Sequence, residues 1–252
     1  MSDPTSEMNL RLLALYPDQM NIYADRGNII FLQRRCEWRG LGFSYAAAGP
    51  GEGFDPAAHD LVYIGGGQDR DQVLVAEDML RTKRDAIAEV VEDGAVLLAV
   101  CGGYQLLGHR YQLGQQSIRG LGIADLETVR SEGERLIGNI AIEVDLGAAP
   151  KVLAGFENHG GRTHLGAGAE PLGRVLHGHG NDGADGREGV RRLNMVGTYM
   201  HGPLLPKNAW LADHLISLAL RRHTGDAVEL TPLDDDLERA AHEGARHAAE
   251  RG

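Results

Sequence analysis

A cysteine at the end of a predicted buried strand is the residue best placed to do chemistry in this sequence. Six apolar residues, Ala95 to Val100, lead to Cys101, and Gly102 and Gly103 follow it. Such a short apolar run is typical of a strand buried on both faces. A tight strand-to-helix turn would then present the thiol as a nucleophile beside the positive amino end of the next helix. A buried structural cysteine is the alternative, and this stretch alone favours neither.

A histidine that could serve as the base follows another predicted strand. A cysteine nucleophile needs a base that is near it in space, wherever it lies in the chain. Of the eleven histidines, His201 comes directly after the strand-like run Met195–Met200. It would lie at the carboxyl edge of the sheet, where open α/β sheets bind ligands, and could move a proton between the thiol and a leaving amine. Taken alone, a surface histidine in a turn is the simpler interpretation.

Backbone amides near these two residues could stabilise an oxyanion. Gly65, Gly66 and Gly67 follow a short predicted strand, Leu61–Ile64. Their N–H groups could form an oxyanion hole together with the N–H of Gly102. The segment lacks the Lys-Ser/Thr of a P-loop and the spacing of a dinucleotide site, so a phosphate site is not expected. A plain glycine turn is the alternative.

Other polar side chains could bind a substrate but do not form a metal site. Gln105 lies about one helical turn after Cys101, and its amide could reach a polar substrate. Arg135 begins a predicted strand and could bind a carboxylate through its forked donors, although an exposed arginine is the ordinary alternative. Four histidines lie in glycine-rich loops and lack the spacing of a metal site: His159, His164, His177 and His179. We expect their side chains to be solvated and to bind no metal.

Strands and helices alternate through the first half of the chain. Strands are predicted at 9–16, 41–47, 61–64 and 95–101, with helices at 28–39 and 71–93, the second ended by Gly94. This order indicates a parallel sheet with helices on both faces. The sheet is what would bring the cysteine and the glycines to one edge.

The second half is predicted to extend the same sheet in an antiparallel or mixed manner. Strand-like segments at 123–129, 136–144, 152–156, 174–177 and 194–200 are joined by turns. Residues 178–189 are predicted to form a mobile loop, and 207–223 a helix that packs back on the sheet. We therefore predict one domain over residues 8–223 and a tail over 224–252 that is either a surface helix or disordered.

Composition excludes several classes of protein. The 252 residues carry a net charge of −11, which argues against a sequence-independent nucleic-acid binder. No apolar run approaches a membrane span, and the polar start predicts no signal peptide. With Cys36 and Cys101 as the only cysteines, neither a disulfide scaffold nor a four-cysteine zinc site is expected. We predict a cytoplasmic protein.

The motifs in this order resemble the class I (triad) glutamine amidotransferases of the CobB/CobQ-like branch. Residues 100–108 and 197–202 resemble cobyric acid synthases, in which the glutaminase is fused behind a synthetase domain. Residues 13–28, 64–72 and 155–163 resemble the free-standing glutaminase subunits of lipid II isoglutaminyl synthases. The resemblance covers roughly residues 8–220. It implies a single-domain α/β fold with a central, mostly parallel sheet, flanking helices and an antiparallel extension.

The resemblance also implies a role for each candidate residue. Cys101 would attack the side-chain amide of L-glutamine and form a glutamyl thioester, with His201 as general base and acid. Gly66 or Gly67 together with Gly102 would hold the oxyanion. By the same resemblance, Arg135 would bind the α-carboxylate of glutamine, and Gln105 would line the pocket.

The same resemblance implies a partner and an acceptor. No cofactor is expected in this chain. Ammonia would pass to a Mur-ligase-like MurT subunit in a heterodimer. That subunit would use ATP and Mg²⁺ to convert the α-carboxyl group of D-glutamate in the lipid II stem peptide to D-isoglutamine. The alternatives are an amidotransferase for another acceptor, such as a cobyrinic acid-type corrinoid, and a non-catalytic regulatory subunit.

One position departs from the class I pattern. Pro203 stands where the class has a glutamate two residues after the histidine. A cysteine–histidine pair without an acid has a poorly fixed tautomer. We therefore predict that the acid, an aspartate, comes from the partner chain and completes the site only in the complex. Three acids of this chain are the less favoured candidates: Glu157, Asp182 and Asp185.

Overall fold

A six-stranded sheet brings the predicted site segments to one edge. The computed structural model describes residues 8–22, 25–147, 149–226 and 228–252. The sheet has the order β2–β1–β3–β4–β14–β13, and its first five strands run parallel. Numbered along the chain, these strands are β1 (Asn9–Leu15), β2 (Gly42–Ala48), β3 (Leu61–Ile64), β4 (Val96–Val100), β13 (Val190–Arg192) and β14 (Met195–Thr198). Every residue of β3, β4 and β14 is buried, as the uninterrupted apolar runs predict.

The helices in the described part of the chain are α1 (Arg26–Glu37), α2 (Asp69–Asp78), α3 (Arg84–Glu92), α4 (Gly102–Leu107), α5 (Ala209–Thr224) and α6 (Asp236–Glu250). Of these, α1, α3, α4 and α5 contact strands of the central sheet. The predicted helix at 71–93 is confirmed, but a π-helical turn, Met79–Lys83, divides it into α2 and α3. Gly94 ends it with φ +73°. Helices α1 and α5 contact each other, whereas α3 and α4 contact β4, so the predicted α/β architecture is confirmed.

Eight of the later strands in the described part of the chain form two further sheets, so the prediction that the later strands extend the central sheet is wrong for them. One has the order β10–β7–β5–β6 and the other β12–β11–β8–β9. Their strands are β5 (Arg110–Leu113), β6 (Gln116–Arg119), β7 (Leu126–Arg130), β8 (Leu136–Val144), β9 (Lys151–His159), β10 (Gly161–Leu165), β11 (Gly173–His177) and β12 (Arg187–Glu188). The long β8–β9 hairpin pairs with β11, and β9 meets the site through an isolated bridge between Phe156 and His201. Of the predicted later strands, 194–200 alone joins the central sheet.

The C-terminal tail contains a helix that packs on the body of the protein. Helix α6 lies against β8 and β9, and its Ala249 is buried. Of the two predicted alternatives for the tail, the structure therefore has the helix. The residue limits of the predicted domain stay a prediction. In the part of the chain that the structure describes, no helix has both the length and the apolar character needed to cross a membrane.

A buried arginine ties three segments of the chain together. Arg35, on α1, has no exposed surface. Its Nε donates to Asp213 of α5 at 2.7 Å, and its guanidinium also pairs with Asp235, which precedes α6. Since charges buried in a protein need partners, this network fixes the packing of α1, α5 and the tail.

We expect Arg35→Met to destabilise the protein by about 2–4 kcal/mol, because two partly buried carboxylates lose their main cation. Chemical denaturation of the variant and of the wild type would measure the loss. Arg34→Met is the matched control, since Arg34 lies on the exposed side of α1 and its side chain pairs with Glu37 at the surface. We expect it to change stability by less than about 1 kcal/mol. Equal effects of the two substitutions would contradict a structural role for the buried network.

Candidate active site

Three segments that follow neighbouring parallel strands meet at the carboxyl edge of the central sheet. Cys101 follows β4, the glycine turn Gly65–Gly67 follows β3, and His201 lies three residues beyond β14. In the sheet, Val100 pairs with Thr198, and Ile64 pairs with Ala99. The predicted meeting of these segments follows directly from parallel pairing, because parallel strands end on the same side.

Cys101 occupies a sharp turn between β4 and α4. Its backbone angles are φ +49° and ψ −107°, a conformation that residues with side chains rarely adopt. Its N–H donates to the carbonyl of Thr198 at 2.8 Å, which fixes the turn to β14. A Cβ atom on Gly103 would lie 2.8 Å from the carbonyl oxygen of Ile64, so the chain can turn here only with glycine. The turn has the form of a nucleophile elbow.

His201 is fully buried beside the cysteine. Two hydrogen bonds with Phe156 of β9 hold its backbone: its N–H donates at 2.7 Å, and its carbonyl accepts at 3.3 Å. Its Nδ1 lies 3.3 Å from Oδ1 of Asp25. Burial alone would lower the pKa of His201, but the charge of Cys101, together with hydrogen bonds to Asp25 and Cys101, raises this pKa to about 10. The protonated form of the ring is therefore favoured beside Cys101.

Asp25 is the functional residue that the sequence analysis missed. It has no exposed surface, and its second oxygen, Oδ2, accepts the N–H of Gly66 at 3.0 Å. The acid was predicted on the partner chain, whereas an acid of the same chain, Asp25, lies at the imidazole in this structure. Pro203 does not orient the imidazole and instead packs against Gly27 at the start of α1. A partner-derived acid stays a prediction that experiment must test.

The three acids considered within the chain lie elsewhere. Glu157 accepts the N–H groups of His179 and Gly180. Asp182 caps the turn that follows it, and Asp185 accepts the N–H of Arg187. Each carboxylate therefore stabilises the loop over residues 178–189. The suggestion that one of these three acids pairs with His201 was wrong. The signal that could have found Asp25 is an acid between a polar turn and the first helix, within the segment 13–28 that carries the family resemblance.

Of the two glycines predicted to share the oxyanion hole with Gly102, Gly67 fits and Gly66 does not. The N–H of Gly66 is already donated to Asp25. A Cβ atom on Gly102 would lie 2.9 Å from the backbone nitrogen of Gly67, so these two residues are close neighbours. Among the described residues, no acceptor takes the N–H of Gly67 or that of Gly102. Two such amides can bind an oxygen that gains charge beside the thiol.

A cavity of about 330 Å³ opens in front of Cys101. Its walls come from the turn after β3, from the start of α2, and from β7 and β9. The predicted residues Cys101, Gly67, Gln105 and Arg135 all line it. Further lining residues that the sequence analysis did not single out include Asp69, Gln72, Tyr111, Arg130 and Asn158. The cavity is large enough for an amino acid and is mostly polar.

Arg135 reaches the cavity from the start of β8. Its Nε donates to the side-chain oxygen of Asn158 at 2.7 Å, and one terminal nitrogen donates to the Asn158 carbonyl at 2.8 Å. These bonds orient the guanidinium plane while leaving further donors on it. Arg135 thus lines the same cavity as Cys101, and its contact with a substrate carboxylate stays a proposal.

Gln105 is a buried member of a hydrogen-bond network. Its Nε2 donates to the Tyr199 hydroxyl and its Oε1 accepts from Gln72, each at 3.0 Å. Tyr199 also stacks on His159, with ring centroids 3.6 Å apart. Both ends of the Gln105 amide are thus engaged, so this side chain shapes the cavity wall and holds α2 against α4.

The expectation of four solvated histidines is correct for three of them. His164, His177 and His179 are exposed. His159 is buried, and burial lowers its pKa, while its Nδ1 bonds to the carbonyl of Gly161. Among the described residues, no group of three or more acidic, histidine or cysteine side chains could hold a metal ion.

Comparison with known proteins places this site in a family. Residues 11–209 match the CobB/CobQ-like glutamine amidotransferase domain. The GatD subunit of lipid II isoglutaminyl synthase from Streptococcus pneumoniae is 37% identical over 229 residues, which is 90% of this chain and 87% of the relative. The GatD subunit from Staphylococcus aureus is 40% identical over 222 residues, or 88% of each chain.

The fold agrees with a solved structure of the same type. A glutamine amidotransferase from Thermotoga maritima aligns with a TM-score of 0.53, covering 96% of this chain and 92% of that protein at 18% identity. At this identity the likeness concerns the fold alone. The family match over most of the chain and the identity to both GatD subunits go further, and they show that this protein belongs to the CobB/CobQ-like glutamine amidotransferase family.

Proposed function

We propose that this chain is the glutaminase subunit of a lipid II isoglutaminyl synthase. The observation that carries the proposal is the contact of His201 with both Cys101 and Asp25, where Cys101 lines a cavity of amino-acid size. Identity of 37–40% to GatD subunits over about nine-tenths of the chain supports this acceptor pathway over others in the family.

In the proposed reaction, the Cys101 thiolate attacks the side-chain carbonyl carbon of L-glutamine. The carbonyl oxygen gains negative charge, and the N–H groups of Gly67 and Gly102 stabilise it. The His201 imidazolium gives its proton to the amide nitrogen, so the C–N bond breaks and ammonia leaves. The product on the enzyme is a glutamyl thioester.

Water completes the cycle. His201, now neutral, takes a proton from water as it attacks the thioester carbon, and glutamate is released with the thiolate restored. Asp25 holds Nδ1 of the ring, which fixes the tautomer and stabilises the imidazolium. Arg135 binds the α-carboxylate of the substrate, and Gln105 forms the wall beside it.

The proposal assigns the acceptor chemistry to a partner. A Mur-ligase-like MurT subunit uses ATP and Mg²⁺ to activate the α-carboxyl group of D-glutamate in the lipid II stem peptide, and ammonia from this chain converts it to D-isoglutamine. No nucleotide or metal is assigned to this chain.

Cys101→Ala tests whether this chain supplies the ammonia and its partner performs the amidation. We expect the variant, copurified with its partner, to lose glutamine-dependent amidation of lipid II by about 1,000-fold or more, since the nucleophile is gone. Ammonium chloride should restore amidation because the partner remains intact. Mass spectrometry of lipid II and a glutamate-release assay give the two readouts.

Cys36→Ala is the matched control, since Cys36 is buried in α1 away from the cavity. It should keep glutamine-dependent activity. Amidation that survives in Cys101→Ala with glutamine as the only nitrogen source would refute the proposal.

Alkylation by iodoacetamide tests the thiolate–imidazolium pair. Because the charge of Cys101 and hydrogen bonds to Asp25 and Cys101 raise the pKa of His201, its imidazolium should promote attack by the neighbouring Cys101 sulfur, and we expect iodoacetamide to alkylate Cys101 even at about pH 6.5. His201→Ala should slow this reaction about tenfold or more at about pH 6.5 and much less at about pH 9.5, where a thiol ionises unaided. Peptide mass spectrometry would follow both cysteines.

Cys36 serves as the internal control, since burial raises its pKa to about 12 and it should stay unmodified. Labelling of Cys101 at about pH 6.5 that is unchanged by His201→Ala would rule out the ion pair.

Asp25→Asn tests where the acid comes from. The substitution keeps the shape but removes the charge at Nδ1, and we expect kcat for glutamine hydrolysis to fall about 100-fold or more. The assay is run on the chain alone and with its partner. Asp18→Asn, in an exposed turn, is the control and should have no effect.

Two results together would show that the partner supplies the acid instead. These are a wild-type chain that is inactive until the partner is added, and an Asp25→Asn complex that is fully active.

A further inference from the structure

The cavity in front of Cys101 has one acid among several cations. Of the described residues that line it, Asp69 is the one carboxylate, whereas Arg70, Arg130 and Arg135 are cationic. Free L-glutamine is a zwitterion with one carboxylate and one ammonium group. A cavity that takes it from water must compensate both charges. Any of the arginines can serve the carboxylate, but only Asp69 offers a negative charge to the ammonium.

Asp69 lies on the same wall as the nucleophile. It is the first residue of α2, directly after the turn that contains Gly67. Gln72, almost one helical turn later, donates to Gln105, which itself lies one turn after Cys101. The wall thus runs from the thiol through two glutamines to the Asp69 carboxylate. A glutamine whose amide lies at Cys101 can extend its α-carbon along this wall.

Two contacts orient the Asp69 carboxylate but leave it able to accept further hydrogen bonds. Its Oδ1 accepts the Tyr111 hydroxyl at 3.0 Å, and its Oδ2 pairs with Arg130. Each carboxylate oxygen can accept a second hydrogen bond. The side chain is 38% exposed, so water or a substrate can reach that remaining capacity.

Another acceptor in the cavity is weaker. His159 lines the same space, and burial lowers its pKa, which favours the uncharged form of its ring. Hydrogen bonds to an ammonium group are stronger when the acceptor is charged. The charge complementarity of the cavity therefore selects the carboxylate.

We propose that Asp69 binds the α-ammonium group of L-glutamine and thereby selects a free amino acid over amides that lack an α-amino group. This inference rests on the proposed glutaminase function and names a determinant of its substrate specificity. The pair with Arg130 and the bond from Tyr111 hold the carboxylate in position for that contact.

The test compares Asp69→Asn with the wild type, each copurified with its partner. Loss of the charged contact should lower kcat/KM for L-glutamine about tenfold to 100-fold, mainly through KM. The probe that isolates the contact is 4-carbamoylbutanoate, which is glutamine without its α-amino group. Its inhibition constant against glutamine hydrolysis should change by less than about twofold, because it has no ammonium to lose.

Asp71→Asn is the matched control, since Asp71 lies in the same first turn of α2 but does not line the cavity. It should leave kcat/KM for glutamine unchanged. Two outcomes would overturn the inference: an Asp69→Asn variant with unaltered kcat/KM, or one that weakens glutamine and the amine-free probe equally, as a purely structural role would. A wild-type complex that hydrolyses no glutamine would instead refute the proposed function, and the role of Asp69 would fall with it.

Discussion

The buried carboxylate of Asp25 is the contact on which the arrangement of the site depends. One oxygen lies at the His201 ring and the other accepts the N–H of Gly66. A single side chain thus fixes the orientation of the imidazole relative to the glycine turn after β3. Because both groups are sealed from water, their interaction is stronger than it would be at the surface. The amide of Gly67, next in the chain, is held in place by the same contact.

The strained backbone conformation of Cys101 is tolerated because the strands on both sides are fixed. Its N–H is bonded to β14, and the N–H of Gly103 donates to the Gly65 carbonyl at 3.2 Å. Buried strands β3, β4 and β14 supply the rigid frame that holds these bonds. Backbone strain of this kind persists only where the surroundings determine the conformation. The parallel sheet is thus both the core of the fold and the support of the nucleophile.

The sequence allowed prediction of the residues whose positions depend on strand ends. Apolar runs located β3, β4 and β14, and parallel pairing then placed Cys101, Gly67 and His201 together. The contact between Asp25 and His201 could not be found this way, because Asp25 lies outside any strand and is 176 residues from His201 in the sequence. Gly66 was a candidate for the oxyanion hole for the same reason. Its N–H donates to Asp25, which lies far from Gly66 in the sequence.

The later strands illustrate a different limit. Segments such as β8 and β9 were predicted as strands but were assigned to the wrong sheet. Which sheet a strand joins depends on its pairing with strands that are distant in the sequence. Neither the spacing of apolar residues nor the composition specifies that pairing. The cavity depends on the outcome, since its far wall comes from β7 and β9 in two different sheets. Tyr111, on a hairpin strand that was not predicted, is therefore also a wall residue that the sequence analysis missed.

The site places its charged groups at two depths. Asp25 and His201 are buried in the interior, where a low dielectric strengthens the interaction between them. Asp69, Arg130 and Arg135 lie nearer the opening, where a charged amino acid can exchange water for protein contacts in steps. Full burial of these outer charges would raise their cost in the empty protein. Partial exposure therefore suits groups that must be solvated before the substrate binds and paired afterwards.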